Sequence, residues 1–138
     1  MSTEQNKAIA NRIPEEFNKK NLGVLDEIVA PNAVDHAVPP GMPETVESTK
    51  KFFGMLLSAF PDYHTHVETT VAEGDYVFQR TMTTGTMKGE FLGMKPTGKQ
   101  ATWQEMHLVR FANGKVVEHW ANIDQTSMMV QLGLMPAP

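Results

Sequence analysis

The residues best suited to chemistry lie near the C-terminus, where two alternating segments meet at Asn113-Gly114. Asn-Gly between two such segments is the strongest short-range signal for a β-hairpin. A two-residue turn pairs Ala112 with Lys115 and, counted back along both strands, pairs His107 with Trp120. A three-residue loop with a bulged glycine would give a different register. We predict the two-residue turn.

In that register, one face of the hairpin is rich in ionisable and aromatic side chains, because successive side chains alternate across a strand. Its predicted pairs are Phe111/Val116, Val109/Glu118, His107/Trp120, Glu105/Asn122 and Trp103/Asp124. The opposite face carries Met106, Leu108, Ala121 and Ile123 and is mostly apolar. The first face is therefore the predicted wall of a site.

Asp124 is the first candidate for acid–base chemistry. It lies near the end of its predicted strand beside Trp103, and a carboxylate walled by indole rings loses hydration and becomes better suited to holding a proton. The alternative is that Asp124 is the N-cap of a helix beginning near Gln125, a position that aspartate suits. The residue pattern leaves both interpretations open.

His107 is the second candidate, because it lies in mid-strand near Glu105 and Trp120 on the same predicted face. A carboxylate beside a histidine holds the imidazole in one tautomer and can serve proton transfer or oxyanion stabilisation. The alternative is a core histidine with a satisfied hydrogen bond. The sequence alone does not choose between them.

The other histidines give weaker signals. His36 follows Asp35 in a short extended segment and is either a substrate contact or a surface residue. His64 and His66 share a strand face, but their spacing matches no common zinc motif. We predict a solvated strand face there and no metal site. His119 should point away from Trp120, onto the other surface of the sheet.

Several kinds of catalytic machinery are missing from the sequence. It has no Walker A loop, no dinucleotide fingerprint and no nucleophile elbow. It contains no cysteine, so neither a disulfide framework nor a thiolate zinc site is expected. What remains is acid–base chemistry without a cofactor in an apolar cup, or simple ligand binding.

Length and charge bound the class of protein. With 138 residues, we expect a single domain over 1–138. The net charge of −4 and the lack of a basic run argue against a nucleic-acid partner. No apolar run has the length of a membrane span, and the first residues lack a signal peptide's apolar block. We therefore expect a cytoplasmic protein that does not contact a membrane.

Hydrophobic periodicity predicts helices first and long antiparallel strands second, an α+β arrangement with helices packed on one face of a curved sheet. The predicted elements are helices over 3–20 (restarting or kinked at Pro14), 21–30, 44–60 and 125–134, and strands over 63–71, 76–87, 103–112 and 115–124. The glycine-rich segment 88–99 is predicted to be a loop that covers a site.

The chain resembles the SnoaL-like polyketide cyclases of the NTF2-like superfamily. The resemblance rests on short motifs in the expected order: VDH at 34–36, FPD at 60–62, the glycine-rich run at 89–99, NGKVVEHWANID at 113–124 and QLG at 131–133. It implies a cone-shaped α+β fold whose curved sheet and helices enclose a deep pocket. One departure is Met87, where many relatives have a histidine.

The resemblance also implies an activity, namely cofactor-free intramolecular aldol condensation on a polyketide or similar hydrophobic polycarbonyl compound. Asp124 would be the acid–base catalyst, and His107 would lie in the same pocket. The residues expected to contact or fold the substrate are His36, Trp103, Glu105, Trp120 and Asn122. Assembly as a homodimer or homotetramer through the sheet is also implied. Since this fold hosts many reactions, a hydrolase, dehydratase, isomerase or non-catalytic binding protein stays open.

Overall fold

The computed structural model describes residues 2–138 as four helices around one five-stranded sheet. In chain order the elements are α1 (Thr3–Asn18), α2 (Val24–Ile28), β1 (Val29–Asp35), α3 (Val46–Ala59), β2 (His64–Glu73), β3 (Tyr76–Thr86), β4 (Gln100–Ala112), β5 (Lys115–Ile123) and α4 (Gln125–Gln131). Every predicted helix and long strand is present, with ends that differ by a few residues.

The strands lie in the order β1-β5-β4-β3-β2. The pairs from β2 to β5 are antiparallel, and β1 runs parallel to β5 at the edge of the sheet. Helix α1 packs on β2 and β3, whereas α3 packs on β1 and α4 on β4. The predicted α+β class, with helices on one face of a curved sheet, is confirmed.

The helices begin where the sequence supplies caps. Ser2 and Gln5 form a capping box at the start of α1, and the Thr45 side chain accepts a hydrogen bond from the Ser48 amide at the start of α3, which satisfies otherwise unpaired backbone groups. Helix α1 does not restart at Pro14. That proline is buried within a continuous helix, so the predicted restart is wrong, and the alternative of a kink stays a prediction.

The β4–β5 hairpin has the predicted two-residue turn. Ala112 pairs with Lys115, and Asn113 and Gly114 have φ values of 52° and 77°, as a turn with two left-handed residues requires. Regular pairing ends two residues from the turn. Phe111 faces Val116, but the next pair is Arg110 with Glu118, so Val117 is an extra residue in a β-bulge.

The bulge changes every pair beyond it. His107 lies opposite Ala121, and Trp120 lies opposite Leu108 on the outer face of the sheet. Because side chains alternate, the insertion of one residue moves His119 to the inner face with His107 and moves Trp120 away from it. The predicted pairs Val109/Glu118, His107/Trp120, Glu105/Asn122 and Trp103/Asp124 are therefore wrong, as is the prediction for the face of His119.

An aromatic cluster supports the inner face of β4. Phe60 is fully buried, and its ring lies 5.8 Å from that of Phe91 and 5.9 Å from that of Trp103. Gly85 lets β3 approach this cluster, since a Cβ at that position would lie 2.9 Å from Phe60 Cδ1. Met87 is also fully buried. Where the resemblance led us to expect a histidine, this chain has a core residue.

None of the helices in residues 2–138 combines the length and the apolar character needed to cross a membrane.

Candidate active site

A cavity lies between the helices and the inner face of the sheet, and it has two parts. The chamber against α1, which we call the inner chamber, has a volume of about 100 Å³ and mostly apolar walls that include Ala10, Ile13, Phe17, Leu25 and Val109. The chamber against α4, which we call the outer chamber, has a volume of about 260 Å³ and is lined by residues that include Phe52, Phe91, Met94, Trp103, Ala121 and Met129. The loop predicted to cover a site thus contributes Phe91 and Met94 to its wall.

Five residues line both chambers: Asp35, Phe53, Glu105, His107 and His119. Four of them are ionisable, and they come from the end of β1 and from the inner faces of β4 and β5. A substrate that extends through both chambers would therefore pass directly over these four side chains.

The four ionisable residues form one continuous chain of hydrogen bonds. His119 Nδ1 lies 2.8 Å from Asp35 Oδ1, and His119 Nε2 lies 3.0 Å from His107 Nδ1. His107 Nε2 in turn lies 2.8 Å from Glu105 Oε1. We call Asp35, His119, His107 and Glu105 the proton chain, since each link joins two groups that can exchange a hydrogen.

The number of hydrogens in the proton chain follows from its geometry. Ionised carboxylates only accept, so His119 donates from Nδ1 to Asp35 and His107 donates from Nε2 to Glu105. Two neutral imidazoles then leave two lone pairs facing each other at 3.0 Å. This contact becomes a hydrogen bond only when a third proton lies between the rings, so the arrangement fits one positive charge shared by the two histidines.

The carboxylates at both ends are held in the ionised form. Burial raises the pKa of Asp35, but hydrogen bonds from His119, Thr49 and the Ala37 amide outweigh burial and bring the pKa below its usual value. Burial likewise raises the pKa of Glu105, yet His107, Trp103 and Thr83 together lower it below the ordinary range. Both carboxylates therefore remain hydrogen-bond acceptors for the imidazoles.

Neighbouring donors fix the orientation of each carboxylate. The Trp103 indole donates from Nε1 to Glu105 Oε2 over 2.7 Å, and the Thr49 hydroxyl donates to Asp35 Oδ2 over 2.5 Å. The Asp35 amide also donates to the Glu44 carbonyl, and the His36 amide donates to the His119 carbonyl. The bond to His119 joins the end of β1 to β5, and the bond to Glu44 joins Asp35 to the segment that precedes α3.

Asp124 lies away from this arrangement. Its side chain is exposed, accepts a hydrogen bond from the Ser127 amide and caps α4. It lines neither chamber, and Trp103 is paired with Thr83 of β3 rather than with Asp124. The geometry is that of the capping alternative, and the catalytic role predicted for Asp124 stays a prediction without support from a shared cavity.

The predicted substrate contacts divide into two groups. Trp103 and Glu105 line the cavity as expected. His36 and Trp120 do not, because their rings stack on each other with centroids 5.2 Å apart on the outer side of the bulged hairpin. Asn122 is exposed opposite Met106. The prediction that Trp120 and Asn122 share a face with His107 is wrong, because the bulge at Val117 shifts β5 by one residue.

Sequence reasoning missed Asp35 and His119 as site residues. The regular hairpin register placed Glu118 on the inner face opposite Val109 and Arg110 opposite the uncharged Val117. Shifting β5 by one residue places Arg110 opposite Glu118, where Arg110 Nε donates to Glu118 Oε1 over 3.1 Å. An opposite-charge pair across two strands is favourable, and that pairing was the available signal for the bulge.

The proton chain differs from a metal site in how its donor atoms point. Within residues 2–138, no group of three or more His, Asp or Glu side chains is arranged to hold a metal ion. The ring nitrogens of His107 and His119 point at carboxylates and at each other. His64 and His66 are exposed on β2.

Comparison with known proteins agrees with this architecture. The sequence profile of the SnoaL-like polyketide cyclases matches residues 8–132. The chain belongs to this family. Among curated proteins, no sequence matches the chain significantly.

Solved structures similar to this SnoaL-like chain include AclR of Streptomyces galilaeus, described as a candidate hydroxylase. AclR is 31% identical with a TM-score of 0.88, covering 99% of this chain and 86% of AclR. IdmH of Streptomyces antibioticus, described as a candidate polyketide cyclase, is 33% identical with a TM-score of 0.82, covering 94% of this chain and 99% of IdmH.

A third structure shows how far the SnoaL-like fold persists as sequences diverge. TsrD of Streptomyces laurentii is 18% identical, with a TM-score of 0.89 over 98% of this chain and 99% of TsrD. At that identity the likeness concerns the fold alone. The names of AclR and IdmH already differ in the reaction they suggest, so the chemistry of this family member has to be argued from its own cavity.

Proposed function

We propose that this SnoaL-like protein is an enzyme that closes a ring in a hydrophobic polycarbonyl compound by intramolecular aldol-type addition, with its own side chains as the acid and base. The observation that carries the proposal is the proton chain at the junction of the two chambers. A hydrogen-bonded imidazole pair between two ionised carboxylates can take up one proton and return it without any further group.

The reaction balances with that single proton. In the form without the third proton, the lone pairs on His107 Nδ1 and His119 Nε2 face each other and make no hydrogen bond. In the proposed step one of these rings turns towards the substrate, and its free lone pair removes a proton from the carbon next to a carbonyl, so that the bonding electrons form an enolate. The enolate carbon then attacks a second carbonyl of the same molecule, so a carbon–carbon bond forms and a carbonyl π bond becomes an alkoxide. The imidazole pair returns its proton to the alkoxide oxygen. Product and substrate are isomers.

The carboxylates act through the histidines. Glu105 and Asp35 fix the tautomers of His107 and His119 and stabilise the positive charge that develops when the pair takes up a proton. The third proton can move along the chain, so the group that accepts a proton from carbon need not be the group that later donates to oxygen. In this proposal His107 has the catalytic role that the sequence predicts.

The chambers suit a mostly apolar substrate folded on itself. Apolar walls exclude water from the enolate, and the proton chain lines both chambers, so the two parts of a folded substrate meet at these groups. In the best intramolecular cases, holding two reacting carbons in place lowers the barrier by roughly 7–11 kcal/mol. Two chambers joined at an acid–base pair therefore favour ring closure over a reaction between two separate molecules.

A test uses the triketone 2-methyl-2-(3-oxobutyl)cyclohexane-1,3-dione, whose aldol closure gives a bicyclic ketol of the same mass. We expect the protein to accelerate ring closure, and chromatography of samples taken over time measures the rate at which the ketol forms. His107→Ala and His119→Ala should each lower the rate by about 10²-fold or more, which is typical for the loss of a general acid or base. Asp124→Asn should retain the rate, because the capping carboxylate lies outside the cavity.

Two outcomes would contradict this assignment. If His107→Ala closes the ring as fast as the unaltered protein, the imidazole pair is not the base. If Asp124→Asn alone abolishes closure while both histidine variants retain it, the base is Asp124. Slow exchange of deuterium into 1-tetralone next to its carbonyl, measured by mass spectrometry, provides a second readout that needs only proton removal and no ring closure.

A homo-oligomer formed through the outer face of the sheet is also part of the proposal. The register places an apolar row across four strands: Val71 beside Phe78, Phe78 beside Leu108, and Leu108 beside Trp120. Val71 is 54% exposed, and Met106 next to this row is 42% exposed. Contiguous apolar surface of this kind is a typical protein interface.

The oligomeric state can be measured by light scattering on the eluting protein. We expect a dimer or tetramer that Leu108→Glu converts to monomer, because Leu108 lies between Phe78 and Trp120 in the apolar row and a charge there is not paired by the second copy. Glu68→Gln, an exposed substitution on β2, is the control and should leave the mass unchanged. If the unaltered protein is a monomer, the proposed homo-oligomer is wrong.

A further inference from the structure

Thr81 on β3 is a polar residue whose hydrogen-bonding capacity the fold does not use. It is only 3% exposed, it lines the inner chamber, and its hydroxyl has no hydrogen-bond partner among residues 2–138. A buried hydroxyl without a partner costs about 1–3 kcal/mol. Such a hydroxyl lowers the stability of the free protein, which suggests that it gains a hydrogen-bond partner when a molecule binds.

The neighbours of Thr81 on the same face of β3 are satisfied within the protein. The Thr83 hydroxyl donates to the Thr65 hydroxyl over 2.9 Å, and Gln79 Nε2 donates to Asn11 Oδ1 over 2.7 Å. Thr81 lies between them and differs only in lacking a partner. The surrounding wall of the inner chamber is largely apolar, so a bound molecule that fills it would bring the missing partner.

We propose that the Thr81 hydroxyl binds a carbonyl oxygen of the substrate at the inner end of the cavity, and so sets which carbon meets the proton chain. This inference rests on the proposed acid–base function, and it deepens that function by defining the bound group. A hydroxyl donates to a carbonyl oxygen and binds the enolate oxygen more strongly once charge develops there.

The register of the sheet supports a carbonyl in this position. Thr81 lies directly opposite Glu105, and His107 lies opposite the next inward-facing residue, Gln79. Side chains at such diagonal positions have backbones about 7–8 Å apart. A carbonyl oxygen bonded to Thr81 places its neighbouring carbon about 5 Å from the hydroxyl. This length is comparable with the diagonal spacing between Thr81 and His107, so a substrate whose chain extends from Thr81 towards His107 brings that carbon to the proton chain.

The experiment compares two probes of nearly the same shape, 1-tetralone and 1-methylenetetralin, in which a CH₂ group replaces the carbonyl oxygen. Dissociation constants are measured by calorimetry for the unaltered protein, Thr81→Val and Thr81→Ser. Threonine and valine have nearly the same shape, so the first variant removes the hydroxyl without opening a void. The second variant retains the hydroxyl.

We expect Thr81→Val to weaken binding of the ketone relative to the alkene by roughly 3- to 10-fold, the range for one hydrogen bond. Thr81→Ser should keep the preference for the ketone. Without ligand, Thr81→Val should melt at the same or a higher temperature, since it removes an unpaired buried hydroxyl. Thr83→Val is the matched control and should melt lower, because it leaves Thr65 without its donor.

An unchanged ketone-to-alkene ratio in Thr81→Val would overturn the proposal, as would a melting temperature that falls as far as that of Thr83→Val. A protein that shows no preference for the ketone would also overturn it. These readouts require no turnover. Loss of the ratio together with an absence of deuterium exchange into 1-tetralone would support Thr81 as the binding group and reject the acid–base function.

Discussion

His107 Nδ1 lies 3.0 Å from His119 Nε2, and this contact exists only because of the extra residue in β5. In a regular hairpin the two imidazoles would lie on opposite faces of the sheet. The bulge at Val117 places both on the inner face, next to carboxylates that hold the far nitrogen of each ring. Four separate titratable residues therefore act as one unit.

The first prediction concerns that coupling. His107→Ala and His119→Ala should each destabilise the protein, but the double variant should cost less than the sum by about 0.5–3 kcal/mol, since either single change already breaks the shared link. Urea unfolding of the four proteins at neutral pH measures the difference.

His64→Ala combined with His107→Ala is the control cycle. His64 is exposed on β2 and shares no hydrogen bond with the proton chain, so these two effects should add within about 0.5 kcal/mol. Strict additivity for His107 and His119 would mean that the 3.0 Å contact carries no energy and that the two rings act separately.

The second prediction concerns stability in acid. The pKa of Glu105 is below its usual 4.5 in the folded protein, so the unfolded chain binds a proton first as the pH falls. The stabilisation by this carboxylate is then complete above about pH 4.5 and is lost as the pH falls through the folded-state pKa. Glu105→Gln should flatten the dependence of unfolding free energy on pH below 4.5.

The same variant should lower stability at neutral pH by about 1–3 kcal/mol, because His107 and Trp103 lose a charged acceptor. Glu68→Gln, which alters an exposed carboxylate, should leave the acid slope unchanged. Unfolding curves in urea from pH 3 to pH 7 supply both comparisons. An unaltered slope in Glu105→Gln would show that this carboxylate gains no proton on unfolding in that range.

The third prediction separates the capping role of Asp124 from a role in catalysis. Asp124→Ala should cost about 0.5–2 kcal/mol by removing the acceptor for the Ser127 amide, whereas Asp124→Asn should cost little, since asparagine caps helices about as well. Thermal or urea unfolding measures both. Equal stability of the alanine and asparagine variants would show that the hydrogen bond to Ser127 contributes nothing to the fold.

The fourth prediction concerns a glycine that supports the site from behind. Gly85→Ala should destabilise by about 1–3 kcal/mol, the usual range for overpacking, because its Cβ would lie 2.9 Å from Phe60, which packs on Trp103. Gly54→Ala is the matched control. It lies exposed in α3 with nothing within 4 Å of its Cβ, and should stabilise by about 0.5–1 kcal/mol. Calorimetric melting tests both variants. If Gly85→Ala leaves the stability unchanged, Phe60 can move to accommodate the added Cβ.

Local patterns predicted much of the fold correctly. The 3.6-residue stripe of α3, the alternation of β3 and the Asn113-Gly114 turn each depend on neighbours in the chain. The position of His107 beside Glu105 on one face of β4 could also be predicted, because residues two apart on a strand share a face whatever the register. These local predictions are correct because they depend on no contact between residues distant in the chain.

Which residues line the site depends on contacts between residues that are far apart in the sequence. Asp35 is separated from His119 by 84 residues, and the two meet because the end of β1 pairs in parallel with β5. The one-residue bulge decided that His119 faces inward and Trp120 outward, which also left Asp124 at the cap of α4. The bulge disrupts the ladder locally and is favoured here by the Arg110–Glu118 pair across the strands. Such a balance is settled only when the strands pack, so the tertiary structure alone determined which titratable groups share the cavity.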